Sequence, residues 1–221
     1  MSGKDETRFR NLTLSLLLLI LASPFLASLE FGRLVGAAIL TLVFYFGVVA
    51  LSDRKAPRMA ALALAVPWFV LEWGARATEA PPLLLDAAAN ALAVGFFALT
   101  AAVILLFLIQ ARRVTSDVLW GAVAGYVMLG ALWYALYALI GAVDPEAFFN
   151  GFAGVPAERP DLLYYSFVTL TTLGYGDIVP VHPVARNVAV LQALAGTMYL
   201  PIVLSRLVAL FIAQSEAERA G

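Results

Sequence analysis

Long apolar stretches separated by short charged connections make up most of the chain. Predominantly apolar runs cover 12–29, 34–51, 59–73, 83–109, 118–143 and 185–213. A helix crossing a bilayer needs about 20 mostly apolar residues, so these runs predict six spans; the third is short and holds Pro67. Hydrocarbon offers the backbone no hydrogen-bond partners, and the period-two alternation of a membrane strand is missing, so the spans are predicted as helices. Between the fifth and sixth runs the pattern changes. Asp161 follows Pro160 and is placed to cap a short helix over about 162–171, after which come Gly174 and Gly176. That helix is too short to cross ~30 Å of hydrocarbon, yet spans flank it on both sides, so a re-entrant element is predicted. The expected fold class is an all-α membrane protein.

Composition agrees. Of 221 residues, 62% are hydrophobic and 13% charged, with a mean hydropathy of +0.90. A soluble domain carries about 25% charged residues, so an ordinary soluble fold, a disordered chain and a nucleic-acid binder are all excluded. The absence of cysteine removes disulfides, thiolate metal sites and cysteine nucleophiles, and His182 is the single histidine. No cofactor is expected.

The basic residues set an orientation. With the N-terminus inside, Lys4, Arg8, Arg10, Arg54, Lys55, Arg58, Arg112, Arg113, Arg206 and Arg219 fall at or near the cytoplasmic side. Arg33, Arg76, Arg159 and Arg186 fall toward the outside, along with the acids Glu30, Glu72, Glu79, Asp86, Asp144, Glu146, Glu158, Asp161 and Asp177. An acidic outer mouth concentrates cations. The expected location is the cell membrane (plasma or inner), with both termini cytoplasmic. The first run, with small residues at Ala22 and Ala27-Ser28, resembles a signal peptide in part, but its length favours a retained anchor. Residues 112–117 read as a charged linker, with Ser116 or Asp117 capping the next helix. They divide the chain into 1–113, four helices, and 114–221, a helix, the short re-entrant element and a final helix.

The informative segment is Tyr164-Tyr165-Ser166-Phe167-Val168-Thr169-Leu170-Thr171-Thr172-Leu173-Gly174-Tyr175-Gly176-Asp177. Alternating glycines reach φ > 0 and let successive carbonyls face one way. A column of such carbonyls, with the Thr172 hydroxyl at its inner end, replaces the hydration shell of a cation. The short helix turns its negative C-terminal dipole end toward the space below that column, which favours a cation there.

This segment resembles the potassium channel family, whose filter reads Thr-Val-Gly-Tyr-Gly. Thr172-Leu173-Gly174-Tyr175-Gly176 matches it with Leu for Val, and Asp177 matches the Asp that follows. The resemblance covers 118–213. It implies a pore helix and selectivity filter between the fifth and sixth helices, with K+ coordinated at Thr172, Leu173, Gly174 and Tyr175. It further implies Tyr164 and Tyr165 as aromatic supports behind the filter, and Gly196, with Pro201 five residues on, as gating hinge candidates. Val168 departs from the family where some members carry a carboxylate that pairs with the filter Asp. One pore loop per chain implies four identical subunits around one axis, set among membrane lipids.

The fourth run departs from voltage-gated members, because 83–109 holds no Lys or Arg and Arg112 and Arg113 lie past its end. The expected function is therefore passive, potassium-selective conduction by a homotetramer that is not voltage-gated. The alternatives are a non-conducting or regulatory channel-like subunit and an ion-coupled transporter. A transporter would show interrupted helices in both halves, and here only one half is interrupted. An intramembrane hydrolase would need a nucleophile and base on facing helices; His182 lies in a loop, and no enzyme activity is expected. No cytoplasmic nucleotide- or calcium-sensing domain is expected after residue 213. Smaller features read plainly. Gly121 and Gly125 form a close-packing face. Asp86 with Asn90, and Glu72 with Arg76, share helix faces near the outer end, as a ligand, proton or lipid site or as interfacial residues. His182 reads as a solvated loop residue or an external pH sensor. Trp73, Trp120 and Trp133 fit membrane-interface positions.

Overall fold

A computed structural model describes residues 8–26, 31–51, 55–75 and 83–220. The expectations that fall on Lys4, Ala27, Ser28, Glu30, Arg54, Arg76 and Glu79 lie outside the described residues. Helices α1 (Arg8–Leu26), α2 (Gly32–Ala50), α3 (Lys55–Ala75), α4 (Leu83–Gln110) and α5 (Ser116–Val143) come first. Strands β1 (Phe148–Asn150) and β2 (Val155–Pro156), helix α6 (Arg159–Leu170), strand β3 (Ile178–Pro180) and helix α7 (Pro183–Ala220) follow. By length and composition, 4 of the described helices could cross a membrane: α1, α4, α5 and α7. The apolar stretch of α2, Leu34–Ala50, is shorter. In α3 the apolar run is interrupted by Pro67 and bounded by Lys55, Arg58 and Glu72.

Helix ends differ from expectation where local hydrogen bonding decides them. Thr115 caps α5, its hydroxyl accepting from the Val118 N–H at 3.3 Å, so Ser116 and Asp117 lie inside the helix they were expected to cap. Glu158 is the N-cap of α6 and Asp161 sits three residues later, its Oδ2 accepting from the Glu158 N–H at 3.1 Å. The helix therefore starts at Arg159, a turn earlier than expected: the carboxylate that reads as a cap is the returning arm of a capping box. Between α5 and α7 the chain also forms a small antiparallel sheet of order β2-β1-β3, with Phe149 opposite both Pro156 and Val179. The all-α expectation missed these strands, which are 2 or 3 residues long and too brief to show alternation.

One core joins most of the helices. Leu12, Phe44, Trp68, Phe96, Ile104 and Met128 are buried in it, so α1 to α5 share apolar contacts, and Tyr199 brings in α7. Phe44 stacks on Trp68 at 3.9 Å and on Phe96 at 4.1 Å, a three-ring pile through α2, α3 and α4. A second cluster, with Tyr137, Phe148, Tyr165 and Ile178, lies beneath the small sheet and anchors α6. By contrast α7 is mostly uncovered within one chain: Val190, Leu194, Met198, Leu204 and Phe211 are exposed.

Candidate functional site

The site is the segment that leaves the C-terminus of α6. Thr171 caps that helix, its N–H bonding to the Phe167 carbonyl at 3.0 Å. The Val168 carbonyl then accepts from Leu173 N–H at 2.9 Å and Gly174 N–H at 3.4 Å, folding the first turn of the segment back on the helix. Backbone φ is positive at Thr172 (60°), Gly174 (55°) and Gly176 (78°). The two glycines adopt this region without penalty, as the sequence expectation required. Thr172 was not expected there. A β-branched residue in the left-handed region is strained by about 1–3 kcal/mol, and such strain gathers at functional sites. Residues 171–176 are all exposed, with Leu173 at 57% and Tyr175 at 68%.

The far end of the segment is pinned to the sheet. Asp177 Oδ1 accepts from the Ile178 N–H at 3.0 Å, and the Asp177 carbonyl accepts from the Gly151 N–H at 2.7 Å. Tyr164 supplies the partner missing at Val168: its phenol hydrogen-bonds the Asp177 carboxylate. That bond, then burial and the carboxylate's charge, push the Tyr164 hydroxyl up to about 12. Tyr165 points the other way, into the second core, with Tyr137 at 5.0 Å and Phe148 at 5.6 Å between ring centres. Burial pushes its hydroxyl up, partly offset by hydrogen bonds with Thr169 and Tyr137.

Behind α6 runs a buried polar chain that the sequence did not announce. Tyr137 on α5 donates to Gln192 Oε1 on α7. Gln192 Nε2 donates to the Ser166 carbonyl at 2.8 Å and to Ser166 Oγ at 2.9 Å, and Ser166 Oγ donates to the Gly130 carbonyl at 2.8 Å. All three side chains are fully buried, and each donor has an acceptor. Tyr126 on α5 adds a bond to the Leu170 carbonyl at 3.3 Å. The available signal was polar side chains within apolar stretches.

Gly196 meets the site from α7: a Cβ there would overlap the Leu170 carbonyl. Pro201 lies inside α7, which is assigned as continuous helix through it. Gly125 makes room for the Tyr199 ring, so the small residues of α5 serve packing within one chain. Asp86 is ion-paired with Arg159, the first residue of α6, and its carbonyl accepts from Asn90 Nδ2 at 2.9 Å. That pairing ties α4 to the site. His182 Nδ1 accepts from the Val184 N–H at 3.1 Å, capping α7. Trp73 Nε1 donates to Thr41 Oγ1 at 3.3 Å, joining α3 to α2, while Trp120 packs against the main core and its carbonyl accepts from Thr13. Among the described residues no three Asp, Glu or His side chains gather as metal ligands. What the arrangement offers is backbone oxygen on an exposed, strained loop held rigidly from behind.

A family model described as ion channel matches residues 93–213, more than half of the chain. The two pore potassium channel c of Oryza sativa is 37% identical over 83 residues, 38% of this chain and 16% of that protein. The inward rectifier potassium channel Kirbac3.1 of Paramagnetospirillum magnetotacticum is 30% identical over 86 residues, 39% of this chain and 27% of that protein. Protein LctB of Bacillus caldotenax is 30% identical over 102 residues, 44% of this chain and 75% of that protein. The first two relatives are thus matched over about a quarter of their length or less. No solved structure matches the chain.

Proposed function

Since the chain belongs to the ion channel family, we propose that it conducts potassium passively and selectively through a filter formed by Thr172, Leu173, Gly174, Tyr175 and Gly176. The observation that carries this reading is the run of positive φ at Thr172, Gly174 and Gly176 on an exposed segment leaving a short helix. Ions would sit against the carbonyls of Thr172, Leu173, Gly174 and Tyr175, with Leu173 contributing backbone only. Asp177, Tyr164 and Tyr165 support the filter: one ties its outer end, one holds that tie, one fills the space behind. α6 is the re-entrant pore helix, α5 and α7 are the outer and inner helices, and α1 to α4 complete six spans.

A single chain supplies one row of carbonyls, and a dehydrated cation needs a ring of them, so four copies around an axis complete the site. The uncovered apolar surface of α7 and the exposed Leu173 and Tyr175 support that assembly. The segment 114–221 is then the pore-forming part and 1–113 a surrounding four-helix part, although their apolar core is shared. With the N-terminus cytoplasmic, the acids Asp144, Glu146 and Glu158 lie at the outer mouth, where they enrich cations. Gly196 and Pro201 are placed to let the inner helix bend. The glycine lets α7 lie close to Leu170, and the proline withdraws one helical N–H.

Purified protein in liposomes, loaded with a potassium gradient, tests the reading. Potassium flux that exceeds sodium flux, and that loses this preference on Gly176→Ala, is the expected result. No flux in either ion from a folded tetramer would mean a regulatory, non-conducting subunit instead.

A further inference from the structure

Between α2 and α3 lies an open groove of about 450 Å³, and none of residues 171–177 lines it. Its floor is the stacked pair Phe44 and Trp68, both 3% exposed, and its walls include Tyr45, Val66 and Phe69. Nothing in its middle is charged. At one end stands Arg58, in the first turns of α3, opposite Val48 and Val49 near the end of α2. From Arg58 to Phe69 along α3 is roughly 16 Å at 1.5 Å per residue, about the depth of one leaflet's hydrocarbon. The volume is that of a ligand site. A cleft apolar along its length, with one cation at its end, matches one chemistry: a hydrocarbon chain ending in an anionic headgroup. Arg58 is exposed, so its planar guanidinium is free to meet a phosphate in two parallel hydrogen bonds. Lys55, exposed one turn earlier, adds positive charge at the same end.

We propose that this groove is a binding site for an anionic phospholipid of the cytoplasmic leaflet, one acyl chain lying on Phe44 and Trp68 and the phosphate held by Arg58. It rests on reading the chain as membrane-spanning with the Arg58 end cytoplasmic, and does not depend on what passes the filter. The occupant is specified by charge: a zwitterionic lipid offers Arg58 an ammonium along with its phosphate, and a free phosphate leaves the apolar floor uncovered.

The full-length protein in detergent, titrated with phosphatidylglycerol or phosphatidylcholine and read by native mass spectrometry, tests it directly. Retention of phosphatidylglycerol at least five-fold above phosphatidylcholine is expected for the unaltered chain. Arg58→Gln should bring the two lipids level, and Ala65→Phe, which fills the groove, should lower retention of both. Arg112→Gln, a basic residue outside the groove, should leave the preference intact. Equal retention of the two lipids by the unaltered protein, or a preference unmoved by Arg58→Gln and lost in Arg112→Gln, would overturn the proposal. A second readout uses no variant. Trp68 forms the floor, so brominated phosphatidylglycerol should quench tryptophan emission more than brominated phosphatidylcholine at equal mole fraction, and equal quenching would count against the site. Failure of either readout leaves potassium flux unaffected, so the two readings fail separately.

Discussion

At the scale of single residues, the departure at Val168 shows how a missing partner is replaced from elsewhere on the same helix. Val168 is buried and its backbone carbonyl organises the start of the 171–176 segment, while Tyr164, one turn earlier, reaches Asp177. The pairing has a definite pH sign. The phenol is the donor, and its hydroxyl is raised from 10.0 to about 12, so the neutral form is favoured in the folded state. The contribution is therefore complete below pH 10 and is lost as pH rises toward 12. Tyr164→Phe should remove this alkaline step: unfolding temperature measured across that window should fall less steeply in the variant, and an unchanged slope would show that Tyr164 does not hold Asp177. Gly196 permits a second expectation. Its Cβ position is occupied by the Leu170 carbonyl, so Gly196→Ala must push α7 away from α6 or distort the last turn of α6. Overpacking of this kind costs about 1–3 kcal/mol. Thermal unfolding should register that loss, with potassium-over-sodium selectivity falling alongside; a fully stable, selective variant would leave Gly196 with only a bending role.

At the scale of elements, the buried chain Tyr137–Gln192–Ser166 fastens α5, α6 and α7 to one another. Gln192→Leu, of similar size, removes both the acceptor of the Tyr137 hydroxyl and the donor to Ser166, a loss of about 1–3 kcal/mol. The assembled protein should unfold at lower temperature, whereas Gln192→Glu, which still accepts from Tyr137 but places a carboxylate against the Ser166 carbonyl, should be worse. If Gln192→Leu matched the unaltered protein, the network would not be holding α6. This network also marks where sequence reading stopped. The long apolar helices, the short helix and the glycine positions were legible because hydropathy and φ > 0 are properties of single residues and their spacing. The start of α6, the three strands, the strain at Thr172 and the partners of Gln192 were not. Each depends on which residues meet across the fold, and Gln192 in a mostly apolar run reads no differently from one facing lipid. Asp86 and Arg159 teach the same lesson. They stand 73 positions apart, and only the packing of α4 beside α6 makes them a pair.

At the scale of the whole molecule, α4 is the helix of the first part that is bonded to both α6 and α7. It is held at both ends. Asp86 grips the start of α6, and the Arg206 guanidinium on α7 donates to the carbonyls of Ile109 and Ala111 at 3.1 Å, satisfying the open end of α4 as a basic side chain does best. α4 is thus tied to both α6 and α7. Yet it carries almost nothing for an electric field to move. Leu83–Gln110 contains no Lys or Arg, and its one charge, Asp86, lies in the first turn and is neutralised by Arg159. Each charge crossing the membrane yields only ~2.3 kcal/mol per 100 mV, so steep voltage dependence needs several per subunit. Arg112 and Arg113 lie beyond the end of α4 and are exposed. Open probability should therefore vary weakly with potential and respond to α7 around Gly196 to Arg206, to the filter, or to lipid. Single-channel recording in planar bilayers between about −100 and +100 mV is the measurement, since that range would drive any sensor of ordinary charge through its transition. A residual dependence that changes with potassium concentration would come from ions moving within the filter. A steep sigmoid equivalent to several gating charges, indifferent to the permeant ion, would place a voltage sensor in this chain outside α4.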